Sequence, residues 1–292
     1  TVAVKLRDQL FGGAPALYRQ ARQKRADEYL AKGDFELQAG DSRLALATFS
    51  GLAKLEPRLV EAWRGVLEAQ SRCGLLDDKQ VAAFRRRAES EPTDALAQYI
   101  YGLALTYGLP IPRAAVEQLN RAILLDGAVP FFHQTLGFVY EHLGRVTGSQ
   151  RDRANALESY ERAMILLNAG ESVRPIDYAR LLINSANAAL SVDSVRRAAD
   201  LYGRRMELGV PFDSTANEFI VHYLAGMAFS RAAHPNDAVK AFDRAVEILP
   251  KLVTQEFMDK EETVPMRLEL LDRSALALLN AGRFREAADA FA

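Results

Sequence analysis

Residues 219–250 read FIVHYLAGMAFSRAAHPNDAVKAFDRAVEILP, and this stretch decides the fold. Its first half carries apolar residues at helical spacing around the small residue Gly226. A short break at 233–236 precedes a second helical pattern, which contains Phe242 and should stop at Pro250 because proline cannot continue a helix. Two helices joined by a short turn within about 34 residues have the size of a helical-pair repeat.

The chain from residue 25 onward carries further copies of this pair. Three copies share one spacing, in which an alanine is followed four positions later by an aromatic residue and eight positions after that by a closing residue. The three sets are Ala45, Phe49 and Pro57; Ala156, Tyr160 and Asn168; and Ala238, Phe242 and Pro250. Small residues that let two helices approach lie on the first helices, at Gly33, Gly102, Gly137, Ala186 and Gly226. Aromatic residues that fill the space between pairs lie on the second helices, at Phe49, Phe84, Tyr160, Tyr202, Phe242 and Phe291. Because one pair cannot bury its apolar face alone, we expect the pairs to stack.

This pattern resembles the tetratricopeptide repeat, in which helix A carries a bulky residue, Leu-Gly and Tyr, and helix B carries Ala, Phe, Ala and Pro. The match is strongest at Leu136-Gly137 and across 238–250, and weakest in the fifth copy, where Val210 replaces the closing proline. It covers 25–292 in seven imperfect copies, the last of them incomplete. The resemblance implies an all-α, right-handed superhelical solenoid of antiparallel helix pairs. A generic solenoid of helical hairpins is the alternative.

Segments outside the repeats are a lead segment at 1–24 and three insertions. The first six residues, TVAVKL, alternate with the period of a strand, so they are either the end of an upstream domain or a frayed terminus. The insertions lie near 145–153, 169–178 and 251–265. Loop insertions often carry function, yet they are also tolerated at small thermodynamic cost, so both interpretations stay open.

Composition excludes several classes of protein. The 292 residues have a formal net charge of −1, so no overall field attracts nucleic acid or an anionic membrane. Cys73 is the only cysteine, which rules out an intramolecular disulfide. No apolar run is long enough for a membrane span, and no signal peptide is visible. The location is cytoplasmic or, if a signal was removed before Thr1, periplasmic, and richness in alanine and arginine suggests a bacterial source.

Catalytic motifs are absent from the sequence. It contains no phosphate-binding loop, dinucleotide fingerprint or nucleophile elbow. It contains no zinc-protease motif and no cysteine cluster, so neither a metal site nor a cofactor is predicted. His133 and His222 fall at packing positions of first helices, His234 falls in a turn, and His142 would face a groove. We therefore predict a protein that is not an enzyme.

In the tetratricopeptide family, helix A residues line a concave groove that binds a peptide or a partner helix. Copy-by-copy mapping implies a groove that is charged at its N-terminal end and aromatic in its middle. The candidate partner-binding residues are Arg64, Tyr99, Leu103, Tyr107, Phe131, Gln134, Phe138, His142, Tyr223 and Arg231. Aromatic residues that packing does not need would suit the burial of an apolar partner segment. The alternative is that these aromatic residues pack on each other.

The sequence departs from two subtypes of the family. Members that hold a carboxylate use Lys and Asn where this chain has Leu30 and Asp34, and an asparagine ladder is matched only at Asn187. The expected function is a scaffold or adaptor that binds a protein or peptide partner. The alternatives are self-assembly into a homo-oligomer, or service as the interaction arm of a larger multidomain protein.

Overall fold

The computed structural model describes residues 14–108, 112–168, 173–254 and 260–291. Within these ranges the chain forms fourteen helices and no strand, which confirms the all-α prediction. They are α1 (Ala14–Gln38), α2 (Ser42–Leu55), α3 (Val60–Arg72), α4 (Asp78–Ser90), α5 (Ala95–Gly108), α6 (Pro112–Leu125), α7 (Pro130–Thr147), α8 (Gln150–Asn168), α9 (Pro175–Ser191), α10 (Val195–Glu207), α11 (Thr215–Arg231), α12 (Pro235–Thr254), α13 (Lys260–Asn280) and α14 (Phe284–Phe291). The predicted strand at 1–6 lies outside the described residues.

The helices pack as consecutive pairs, and odd-numbered helices are the first members of those pairs. Contacts join α1 to α2, α5 to α6, α9 to α10 and α11 to α12. First helices of successive pairs also touch: α1 contacts α3, α3 contacts α5, and α9 contacts α11. The contacts divide the chain into two compact units, Thr1–Thr135 and Leu136–Ala292. In each unit, therefore, first helices lie side by side.

Several glycines on the first helices lie directly against aromatic rings of the second helices. In the first unit the ring of Phe49 is 1% exposed, and a Cβ on Gly33 would lie 2.5 Å from it. The same ring occupies the space where Gly65, on the first helix of the next pair, would carry a side chain. Gly102 is an exception, because a Cβ on it would meet the aliphatic side chain of Leu119, at 3.0 Å, rather than an aromatic ring.

The predicted helix end at Pro250 is wrong, since α12 continues through it to Thr254. Leu249 and Leu252, on either side of the proline, are 1% and 3% exposed. A proline inside a helix loses one backbone hydrogen bond. Burial of Leu252, which requires the extra turn, offsets that loss because burying a leucine contributes roughly 1.5–3 kcal/mol.

Helices also extend into other segments that the sequence set apart. The first helix begins at Ala14, within the lead segment. At 145–153, α7 runs to Thr147 and α8 begins at Gln150, with Gly148 between them at φ +72°. Helix α13 contains Pro265. Among the described helices, none is both long enough and apolar enough to cross a membrane.

Candidate partner-binding surface

The predicted partner-binding residues lie on the first helices of four pairs. Arg64 is on α3, and Tyr99, Leu103 and Tyr107 are on α5. The remaining six belong to α7 and α11 and are Phe131, Gln134, Phe138, His142, Tyr223 and Arg231. Helices α3 and α5 touch in the first unit, so its candidates on these two helices follow adjacent helices. In the second unit the candidates lie on α7 and α11, and α11 touches α9. Their exposure, however, differs from residue to residue.

Tyr99 is a packed core residue of the first unit. Its side chain is 0% exposed, and its ring stacks on Phe132 with centroids 4.5 Å apart and planes inclined by 21°. Its hydroxyl lies 2.9 Å from Oγ1 of Thr135, and burial raises the pKa of Tyr99 to about 12. Leu103 and Gln134 are also buried. For Tyr99 the structure thus has the aromatic packing that the sequence left as the alternative, and contact with a partner stays a prediction.

Arg64, which is half-buried, lies over the buried ring of Phe131. The guanidinium carbon of Arg64 lies 4.6 Å from the centroid of the Phe131 ring, a cation–π geometry. Arg64 and Tyr107 are half-buried, and burial raises the pKa of the Tyr107 hydroxyl well above its ordinary value. The hydroxyl therefore stays protonated and remains a hydrogen-bond donor at neutral pH.

Phe138 is an aromatic side chain of α7 that reaches solvent, with 45% of it exposed. His142, one helical turn later, is half-buried, and its Nδ1 lies 3.0 Å from Nη2 of Arg145. Glu141 accepts a hydrogen bond of 2.8 Å from the hydroxyl of Tyr160 on α8. An exposed aromatic ring therefore stands beside a carboxylate and a basic pair, within one short helical segment.

Burial raises the pKa of Glu141, although the Tyr160 hydrogen bond and the charge of Arg145 act in the opposite direction. Because the folded pKa exceeds the unfolded value of 4.5, the stabilising contribution of Glu141 is complete below that value and is lost as pH rises through the folded pKa. Glu141→Gln stays neutral and keeps an oxygen for Tyr160. We expect its free energy of unfolding, relative to wild type, to be higher at about pH 7 than at about pH 4.

Urea unfolding at the two pH values, followed by circular dichroism, measures this difference. Glu158→Gln removes the same charge from an exposed position of α8 and is the matched control. An identical pH response of the two variants would contradict the destabilising burial of Glu141.

Tyr223 and Arg231 are bound to neighbouring residues rather than free. The Tyr223 hydroxyl donates to Glu269 at 2.8 Å, and the guanidinium of Arg273 lies 5.8 Å from the Tyr223 ring. Arg231 pairs with Asp193, in the turn after α9. Glu269 and Arg273 belong to α13 and were missed by sequence reasoning. Extending the helix A mapping into the seventh copy would have found them.

Within the described ranges no cluster of histidine, cysteine, aspartate and glutamate side chains could hold a metal ion. The surface instead presents an aromatic ring, charged side chains and hydrogen-bonding groups. Such groups suit noncovalent recognition, in which a few aromatic and arginine side chains contribute most of the binding energy.

Comparison with known proteins gives structural relatives only. No protein-family model and no curated protein matches the chain. The crystal structure of the APC/C hetero-tetramer Cut9-Hcn1 is similar, with a TM-score of 0.55 and 18% identity over 84% of this chain and 43% of that one. YrrB, described as a TPR protein with an unusual peptide-binding site, has a TM-score of 0.50 and 15% identity over 71% of this chain and 88% of its own. The chain thus spans less than half the length of the first relative, and at these identities the likeness shows the fold alone.

Proposed function

We propose that this chain, which has the tetratricopeptide repeat fold, is a non-enzymatic scaffold or adaptor that binds a partner segment along its first helices. The observation that carries the proposal is Phe138, an aromatic side chain of α7 that is 45% exposed on the surface where the repeat pattern places partner contacts. The similarity to YrrB, whose description names a peptide-binding site, supports a peptide ligand.

The contacts around Phe138 indicate what the partner segment would contain. An apolar side chain of the partner would cover the exposed 45% of Phe138, which contributes about half of the roughly 1.5–3 kcal/mol that full burial of such a ring would give. Arg145 is exposed next to His142 and offers a cation to an acidic or carbonyl group of the partner.

Phe138→Ala tests this site directly. We expect the variant to fold, because nearly half of the side chain is already exposed, and to bind its partner roughly tenfold more weakly or worse. The measurement is quantitative capture from native lysate read by mass spectrometry, followed by titration of the captured protein.

The matched control for this variant is Leu124→Ala on α6, where the leucine is 87% exposed but lies on a second helix. This variant should capture the same partner as wild type. Equal capture by wild type, Phe138→Ala and Leu124→Ala would remove Phe138 from the site and with it the proposed surface.

A further inference from the structure

The second unit contains a cavity of about 620 Å³ that the proposed partner surface does not use. The end of α10, the connection that follows it, and parts of α11 and α12 enclose the space. Apolar groups form much of its wall, including Met206, Phe212 and Phe229. Its volume falls within the range of about 300–1,000 Å³ that is typical of small-molecule sites.

The cavity and the candidate partner surface use different residues of α11. Successive residues of a helix are rotated by about 100°, so residues seven apart lie on nearly the same face. His222 and Phe229, which line the cavity, are seven apart. Arg231 points about half a turn away from His222, and Tyr223 is rotated from it by about 100°. Neither Tyr223 nor Arg231 lines the cavity, so a ligand there would not contact them directly.

Arg205 is a buried cation in the cavity wall. Its side chain is 2% exposed, Nη2 donates to the backbone carbonyl of Pro211 at 3.3 Å, and the guanidinium lies 4.0 Å from the centroid of the Phe212 ring. Its Nε has no hydrogen-bond partner among the described residues. Guanidinium carries five donors, so this set of contacts leaves much of its hydrogen-bonding capacity unused.

Two carboxylates whose charge reaches Arg205 are bonded to other arginines. Asp213 accepts from Arg180 at 3.0 and 3.1 Å, and Glu218 accepts from Arg244 at 2.7 and 3.1 Å. A charge removed from water is costly unless it is paired and hydrogen-bonded. An anion in the cavity would supply Arg205 with the partner that these side chains do not provide.

His222 adds a second group of the same kind. Its Nδ1 is buried without a hydrogen-bond partner among the described residues, and its ring centroid lies 5.6 Å from that of Phe212. An imidazole nitrogen that carries a proton donates to an oxygen. Arg205 and His222 thus bring two nitrogen groups to one apolar space.

We propose that this cavity binds a ligand with an apolar body and a single carboxylate, the carboxylate against Arg205 and His222 and the body against Phe212 and Phe229. Glu207 and Asp237 are exposed at the cavity wall, and Asp237 pairs with Lys240 at 3.3 Å. Because Lys240 neutralises Asp237, Glu207 is the carboxylate of the wall that opposes a multiply charged anion such as phosphate, and the proposed ligand therefore carries a single negative charge. A free carboxylic acid and the C-terminus of a peptide share this chemistry.

The first test is calorimetric titration of the full chain with 3-phenylpropionate and with its amide, 3-phenylpropionamide. The two probes have the same body and differ in charge. We expect the acid to bind roughly tenfold more tightly or better, because a charged hydrogen bond to a buried guanidinium is lost in the amide. Equal binding of the two probes, or binding of neither, overturns the proposal.

Variants locate the binding within the chain. Arg205→Met keeps the bulk of the side chain without its charge and should weaken acid binding roughly tenfold or more. Arg196→Met makes the same change at an exposed position of α10 and should bind as wild type does. Undiminished binding by folded Arg205→Met contradicts the assigned site.

A second variant keeps the test decisive if Arg205→Met does not fold. An added Cβ on Gly203, in the cavity wall, meets nothing within 4 Å, so Gly203→Leu should fold and fill part of the space. We expect it to lose both probes while retaining its circular dichroism spectrum. Retained acid binding by Gly203→Leu places the ligand elsewhere and overturns the proposal.

A peptide ending in phenylalanine, with a free or an amidated C-terminus, distinguishes the two sources of the carboxylate. Tighter binding of the free peptide than of 3-phenylpropionate supports the site as a receptor for a chain terminus. Tighter binding of 3-phenylpropionate supports it as a small-molecule site. Either result keeps the carboxylate requirement, whereas equal affinity of the free and amidated peptides, together with equal affinity of acid and amide, contradicts it.

Discussion

Phe49→Ala should lower the free energy of unfolding of the first unit by about 3–5 kcal/mol, the range for truncating a buried phenylalanine. The ring is 1% exposed and fills the space over two glycines, Gly33 in its own pair and Gly65 in the next. Loss of the ring leaves a cavity between the backbones of α1 and α3, and these packed helices cannot close it without moving. Contacts within the first pair and between the first two pairs would weaken together.

Trp63 provides the readout for this variant. It is the only tryptophan of the chain and packs against the cluster that contains Phe49, so its fluorescence during urea unfolding follows the first unit. Phe35→Ala is the control, because that ring is 70% exposed and its removal should change stability by no more than about 0.5 kcal/mol. Equal losses in the two variants would show that Phe49 does not hold the repeats together.

Gly226→Ala should destabilise the second unit by about 1–3 kcal/mol, although alanine favours helix more than glycine does. The new Cβ would lie 2.6 Å from the ring of Phe242, which is 1% exposed and has no free space to move into. A clash between a helix backbone and a buried ring forces the pair of helices apart. The cost of overpacking therefore exceeds the gain in helix propensity.

Gly203→Ala is the matched control and should have the opposite sign. Its Cβ meets nothing within 4 Å, so only helix propensity changes, and the variant should gain about 0.5–1 kcal/mol. Thermal and urea unfolding followed by circular dichroism measure both variants. A gain at both positions would mean that α11 and α12 adjust to the added methyl group, and that the small residue at Gly226 is not required.

The sequence was sufficient for features that depend on spacing along one helix. The repeat pattern predicted small residues on first helices and aromatic residues on second helices, and the structure adds that the ring of Phe242 lies against Gly226 and that of Phe49 against Gly33. The end at Pro250 was wrong because local propensity alone does not reveal that Leu252 is buried by residues far away in the chain. Propensity is overridden where tertiary burial is larger.

The candidate partner surface was harder to predict, because a position on helix A does not determine whether a side chain faces solvent or the next repeat. Leu103 and Phe138 occupy the same first-helix position, directly after Gly102 and Gly137, yet the first is 2% exposed and the second is 45% exposed. Arg205 gave no signal at all, since a basic residue in the last turn of a helix is usually solvated. Its burial depends on Pro211 and Phe212 folding back over it.

The ring of Phe49 also affects how such an array can be recombined. A chimaera with its crossover in the connection at 56–59 would keep Phe49 from one parent and take the residue at position 65 from the other. Any donor with a side chain there would collide with the inherited ring, because Gly65 lies directly against it. A crossover between α1 and α2 keeps Phe49 and Gly65 from the same parent, but it takes Phe49 and Gly33 from different parents. The smallest block that can be exchanged without loss therefore runs from α1 through α3, which is longer than one repeat.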